Sequence, residues 1–179
     1  MPSRRLLNLA GFLACVAMLG YALYAEKVLH LEPCPLCMFQ RVGVAGLGVV
    51  FLLAALHDPA SRGGARAYAV LVALAAAFPA YVAGRHVYIQ SLPPGSVPSC
   101  GATLDYMLEV FPLLDVVKKV LTGGGECAKI DWSLLGLSMP GWVLIAVLAL
   151  LGFGLWVNLS ARVDAGRAGA ASSPSFRGR

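Results

Sequence analysis

Hydrophobic residues in this chain come in long unbroken blocks, without the two-residue or one-face periodicity that a soluble domain shows. Stretches free of charge run from Leu6 to Ala25, Val42 to Leu56, Ala67 to Gly84 and Leu134 to Ala161. One helical crossing of a bilayer takes roughly 20 predominantly apolar residues, so the pattern predicts four membrane-spanning helices, over about 6–25, 36–56, 67–89 and 138–159. The second block is short for a span. Its helix is expected to begin near Pro35, which draws Arg41 into the outer part of the membrane. Two polar connections, 26–35 and 90–137, then fall on one side of the bilayer. In the longer one Leu92 to Pro98 resists regular structure, whereas Tyr106 to Leu121 mixes apolar and charged residues at nearly helical spacing and predicts a short helix on the membrane surface. The expected fold class is all-α: a four-transmembrane-helix bundle with a short interfacial helix in the second outer loop, one domain over residues 1–161.

Composition agrees with the pattern. Of the 179 residues 59% are hydrophobic and 13% charged, and the mean hydropathy is +0.76, which excludes an ordinary soluble core. The net charge of +5 is a topology signal, because Arg4, Arg5, Arg62, Arg66, Arg162, Arg167, Arg177 and Arg179 lie on one side of the bilayer and Lys27, Lys118, Lys119 and Lys129 on the other. The arginine-rich side, with both termini, is expected to be cytoplasmic. Dispersed basic residues without a reading motif give no nucleic-acid footprint. The first span has Arg4 and Arg5 before it, as a secretory signal would, but Leu23 spoils a small-x-small cleavage site ahead of Glu26, so the span is read as retained. Residues 162–179, rich in Gly, Ala, Ser and Arg, are expected to form a disordered cytoplasmic tail. Asn158-Leu159-Ser160 lies at the inner end of the fourth span, where glycosylation has no support.

Two pairs of cysteines stand in the polar connections, Cys34 and Cys37 in Pro33-Cys34-Pro35-Leu36-Cys37, and Cys100 and Cys127 in the long loop. Two crossings separate the pairs, so all four thiols share one side whichever way the chain inserts. A membrane bundle has little need of disulfides for its fold, and two pairs beside the bilayer suggest an electron relay. Pro35 suits the first helical position, making Cys34 the cap and setting Cys37 in the opening turn, where free amides and the positive helix end favour a thiolate. Arg41, four residues on, shares the helical face of Cys37 and is a candidate to stabilise charge on an electron acceptor; the alternative is a guanidinium snorkelling to the headgroups. His86, at the outer end of the third span beside Arg85, is a candidate hydrogen-bond donor to a carbonyl of such an acceptor. Three glycines, Gly123 to Gly125, precede Glu126-Cys127 and let the chain bend there. Other uses of the cysteines stay open: a four-thiolate zinc site, or a structural Cys100–Cys127 disulfide closing the 26 residues between them. Cys15, mid-span, reads as a small apolar side chain.

The Cys34-Pro35-Leu36-Cys37 motif followed by Arg41, the cysteine-bounded loop, and Leu135-Gly136-Leu137-Ser138-Met139-Pro140-Gly141-Trp142 entering the last span together resemble the DsbB family of bacterial disulfide bond formation proteins, over about Leu6 to Leu159. The resemblance implies a bacterial inner-membrane enzyme, a quinone-dependent thiol oxidase, that reoxidises a periplasmic DsbA-like thioredoxin-fold oxidase and passes the electrons to the membrane quinone pool, ubiquinone or menaquinone. Carried over by position, Cys34 and Cys37 are the pair adjoining the quinone, and Cys100 and Cys127 the pair that exchanges with the partner, Cys100 forming the mixed disulfide. Arg41 and His86 take the places of quinone-associated residues. A vitamin K epoxide reductase-like enzyme also uses four helices and two cysteine pairs, but there the loop pair precedes the C-x-x-C, the reverse of the order here. A non-catalytic four-cysteine metal-binding protein is the third class that the residues admit.

Overall fold

The computed structural model describes residues 3–59, 61–93, 96 and 109–160. Four helices are long and apolar enough to cross a membrane: α1 (Arg4–Lys27), α2 (Pro35–His57), α3 (Arg62–Gln90) and the last helix, α6 (Met139–Leu159). Between α3 and α6 lie α4 (Leu113–Thr122), the single turn α5 (Gly125–Ala128), and an antiparallel hairpin of β1 (Ser133–Leu134) and β2 (Leu137–Ser138), with Ser133 opposite Ser138. The protein is an all-α, multi-pass membrane bundle, as the hydrophobic blocks predict. The expected tail, 162–179, lies outside the described residues, as does most of the first half of the long loop.

The helix starts follow from local chemistry. Ser3, Cys34 and Ser61 each cap a helix, their side chains accepting from Leu6 N, Cys37 N and Gly64 N, and Pro35 occupies the first turn of α2, where a missing N–H costs nothing. At 29 residues α3 is about 43 Å long at 1.5 Å per residue, against roughly 30 Å of hydrocarbon. Its C-terminal end, from Arg85 to Gln90, meets the loop.

The bundle closes on small residues. Phe51 of α2 is fully buried between Gly11 of α1 and Gly154 of α6. A Cβ at Gly11 would stand 2.8 Å from its ring, and one at Gly154 2.7 Å from Val72 and 3.0 Å from Phe51. Pro79, inside α3, lies against Gly43 of α2, where a Cβ would come within 2.8 Å of it. Lipid offers tails as apolar as leucine, so close backbone approach and hydrogen bonds between helices hold such bundles together. Cys15 sits in the same core cluster, with Val44, Leu47, Val72, Ala76 and Val147. At the end away from the hairpin, Asn158 Nδ2 donates to Asn8 Oδ1 (3.2 Å) and to Gly154 O (2.9 Å), tying α6 to α1; both asparagines are buried.

Helix α4 has two faces, Val116 and Val120 buried against Leu36, Val82 and Ile89, and Leu113 and Leu114 turned outward. It runs from Leu113 to Thr122; of the expected stretch 106–121, residues 106–108 lie outside the described residues. Gly123, at φ +83°, turns the chain from α4 into α5, a backbone shape that residues with a Cβ adopt at a cost.

Candidate functional site

The N-terminal turn of α2 gathers the sulfur atoms. Cys34 Sγ lies 2.9 Å from Cys37 Sγ and accepts from the Cys37 amide at 3.3 Å. Cys127, brought in by the single turn α5, is buried beside them, in one apolar cluster with Leu36 against which Cys34 packs. The Cys37 amide thus serves the Cys34 sulfur, which caps the helix as the sequence predicts. The two neighbouring thiols act on each other, pushing Cys34 up from its ordinary value and pulling Cys127 down to about 6. Cys100 lies outside the described residues.

The C-terminal end of α3 clamps the loop onto this cluster. Arg85 donates through Nε to Leu121 O (3.2 Å) and through a terminal nitrogen to Thr122 O (3.0 Å), closing the C-terminus of α4, while its guanidinium lies 5.2 Å from the Tyr88 ring centre. His86 is buried. Its Nε2 lies 3.1 Å from Cys127 O and 3.8 Å from Cys34 Sγ, and its Nδ1 lies 3.1 Å from Gln40 Nε2. A neutral ring protonated on Nε2 satisfies both neighbours, donating to the Cys127 carbonyl and accepting from the Gln40 amide. His86 thus holds the loop that carries Cys127.

Arg41 is no bare cation. It ion-pairs with Glu26 at the C-terminal end of α1, donates to Ala22 O at 3.0 Å, and Glu26 also meets Lys27 at 3.1 Å.

Behind the sulfurs a cleft, partly open to solvent, runs between α1, α2 and α6. Met18, Leu19, Val44 and Val143 give it apolar walls; Cys34, Cys37, Gln40, Arg41, His86 and Gln90 supply polar atoms. That mixture suits a lipid-soluble ring with a few carbonyl oxygens. Trp132 lines the mouth and packs edge-on against Tyr21, with centroids 6.1 Å apart. Trp142 instead donates to Leu134 O at 3.1 Å, within the hairpin.

Five of the six candidate residues therefore come together. Sequence reasoning missed Gln40, Glu26 and Gln90, which donates to Lys129 O at 3.4 Å and accepts from Ser138 at 2.6 Å. Gln40 carried a usable signal, an uncharged polar residue inside an apolar span, one helical turn after Cys37; buried polar groups require partners.

The family model described as "Disulfide bond formation protein DsbB" matches residues 4–157. Among curated proteins, Disulfide bond formation protein B of Methylococcus capsulatus is 52% identical over 160 residues, covering 88% of this chain and 97% of that protein. The proteins of the same name from Chromohalobacter salexigens and Acinetobacter baumannii are 51% and 49% identical, over 86% of this chain and 91% and 90% of their own lengths.

Proposed function

Since this chain belongs to the DsbB family of disulfide bond formation proteins, we propose that it is a thiol:quinone oxidoreductase of the bacterial inner membrane, with its cysteine loops in the periplasm and both termini in the cytoplasm. Its partner is a reduced thioredoxin-fold oxidase of the DsbA type. The partner's dithiol becomes a disulfide, and a membrane quinone, ubiquinone or menaquinone, takes the two electrons and two protons. Arginine-rich connections on one side and the cysteines on the other support this orientation.

The observation that carries the reading is the meeting of Cys34 and Cys37 at a cleft between membrane helices, with Cys127 packed beside them. A partner thiolate attacks Cys100 of the Cys100–Cys127 disulfide, forming a mixed disulfide and releasing Cys127 as a thiolate. Cys127 then attacks Cys34 in the Cys34–Cys37 disulfide and expels Cys37. The packing of Cys34 against the buried cluster that holds Cys127 supports this choice of target. The partner's second thiol resolves the mixed disulfide and frees Cys100, which attacks Cys127, restores the loop disulfide and leaves Cys34 and Cys37 as a dithiol. Their electron pair leaves through the cleft. When bound, a quinone supplies the two-electron sink that a strongly oxidising partner, near −120 mV for DsbA, demands. Arg41, anchored by Glu26 and Ala22, would hold the ring, and His86 and Gln40 would keep the Cys127 loop closed over it.

Stopped-flow mixing of the purified protein with reduced partner and a short-chain quinone tests the proposal. Wild-type protein should turn over, and serine at any one of the four loop cysteines should abolish turnover. Undiminished turnover in all four variants, or no quinone reduction by the wild type, would overturn it.

A further inference from the structure

Three ligand-type atoms, Cys34 Sγ, Cys37 Sγ and a His86 ring nitrogen, lie within 4.8 Å of one another. Cys127, whose carbonyl is 3.1 Å from His86 Nε2 and whose side chain is buried in the cluster that Cys34 packs against, stands next to them, its sulfur outside that group and needing to close in on an ion. We propose that the reduced protein binds one soft or borderline divalent cation, Zn²⁺ or Cd²⁺, through Cys34, Cys37, His86 and Cys127, and that the oxidised protein does not. This goes beyond electron transfer: it makes the reduced state a metal trap, and a bound ion withholds three of the relay's four thiols from exchange.

Three thiolates and one imidazole are a common tetrahedral zinc set. With zinc–sulfur bonds near 2.3 Å and zinc–nitrogen bonds near 2.0–2.1 Å, a tetrahedron puts its sulfurs roughly 3.8 Å apart and sulfur and nitrogen roughly 3.5 Å apart. Cys34 Sγ and His86 Nε2 already stand at 3.8 Å, and the Cys34–Cys37 sulfurs, at 2.9 Å, need to part by about 0.9 Å. The support for the histidine is in place. A metal-bound imidazole donates its other N–H to a neighbouring group, and Gln40, buried against Nδ1, can offer its amide oxygen by turning over the amide it now presents as a donor. The ring proton then moves to Nδ1, Nε2 gives up the Cys127 carbonyl, and its lone pair faces the sulfurs. Cys34, Cys37 and His86 all line the open cleft, which provides an entry path. A Cys34–Cys37 disulfide has no thiolate to offer and removes two of the four ligands.

This set differs from a four-cysteine site because it takes His86 and leaves Cys100 out. The test uses full-length protein in lipid nanodiscs, handled anaerobically, with Zn²⁺ or Cd²⁺ competed against a chromophoric chelator. The expected result is one ion per reduced chain, a cadmium–thiolate ultraviolet band, and affinity at least about 100-fold weaker after oxidation. Gln40→Leu and Cys127→Ser should each weaken binding on the order of 10- to 100-fold, and Cys100→Ser should leave it unchanged. Equal affinity in the two redox states of the wild type overturns the proposal without reliance on any variant folding. So does binding that needs Cys100 but is indifferent to Gln40 and Cys127. Neither quinone nor partner takes part, so a negative result here leaves the thiol oxidase reading standing, and a protein that binds the ion but reduces no quinone refutes that reading alone.

Discussion

Cys127 behaves unlike an ordinary buried cysteine. Burial alone would push its thiol up, but the Cys34 thiol and backbone groups at the start of α2 outweigh that and bring it down to about 6 from 9.0. A lowered value means that the thiolate persists above about pH 6 and is lost by protonation below it. Thiolate absorbance of reduced protein, with Cys15, Cys37 and Cys100 changed to serine, should therefore titrate with a midpoint near 6. Changing Cys34→Ala in that background should move the midpoint upward, and an unmoved midpoint would deny Cys34 its part. Arg41 gives a second test at this scale. Because the guanidinium is held by Glu26 and Ala22 O, Arg41→Ala should raise the KM for quinone on the order of tenfold while exchange with the partner continues. Glu26→Gln, which keeps the shape and removes the charge, should raise it a few-fold; unchanged quinone kinetics in both variants would remove the arginine from the acceptor site.

Among the elements, α3 decides how the site is assembled. It is long enough to cross the apolar layer and still place Arg85 and His86 on the loop, so one rigid helix fixes both the C-terminus of α4 and the carbonyl of Cys127. Packing of α3 on its neighbours depends on missing side chains. Gly154→Leu would drive a side chain into Val72 and Phe51, and overpacking of this kind costs typically about 1–3 kcal/mol. Thermal unfolding in detergent should show that loss, whereas Gly152→Leu, where a Cβ meets nothing within 4 Å, should be nearly neutral. The Asn8–Asn158 pair joins α1 to α6 at the other end. A double-mutant cycle to alanine should give a coupling of about 0.6 kcal/mol, the average for hydrogen bonds between membrane helices.

At the scale of the whole molecule, the antiparallel bundle puts the end of α1, the start of α2, the end of α3 and the start of α6 together. That end holds the sulfurs and the cleft; the other holds the buried asparagines. If the proposed orientation is right, a membrane-impermeant thiol reagent applied to reduced spheroplasts should label Cys100, and tags at the two termini should react only after lysis. Protected cysteines with exposed tags would reverse the topology.

The sequence by itself determined the four spans and the common side of the thiols, because hydrophobic length and the parity of crossings are properties of the chain read one residue after another. It also determined Cys34 as the cap of α2, since capping depends on neighbours three residues away. It pointed to His86 and Arg41 as residues of interest but not to their partners. Glu26 and Arg41 are 15 residues apart and on different helices, Gln40 and His86 are 46 apart, and their pairing follows from how α1, α2 and α3 pack. How Cys127 reaches α2 was likewise settled in three dimensions, by the turn at Gly123 and the bond from His86 to the Cys127 carbonyl. Hydrogen bonds and ion pairs act over a few ångströms of space, and only the folded chain brings such distant residues within that range.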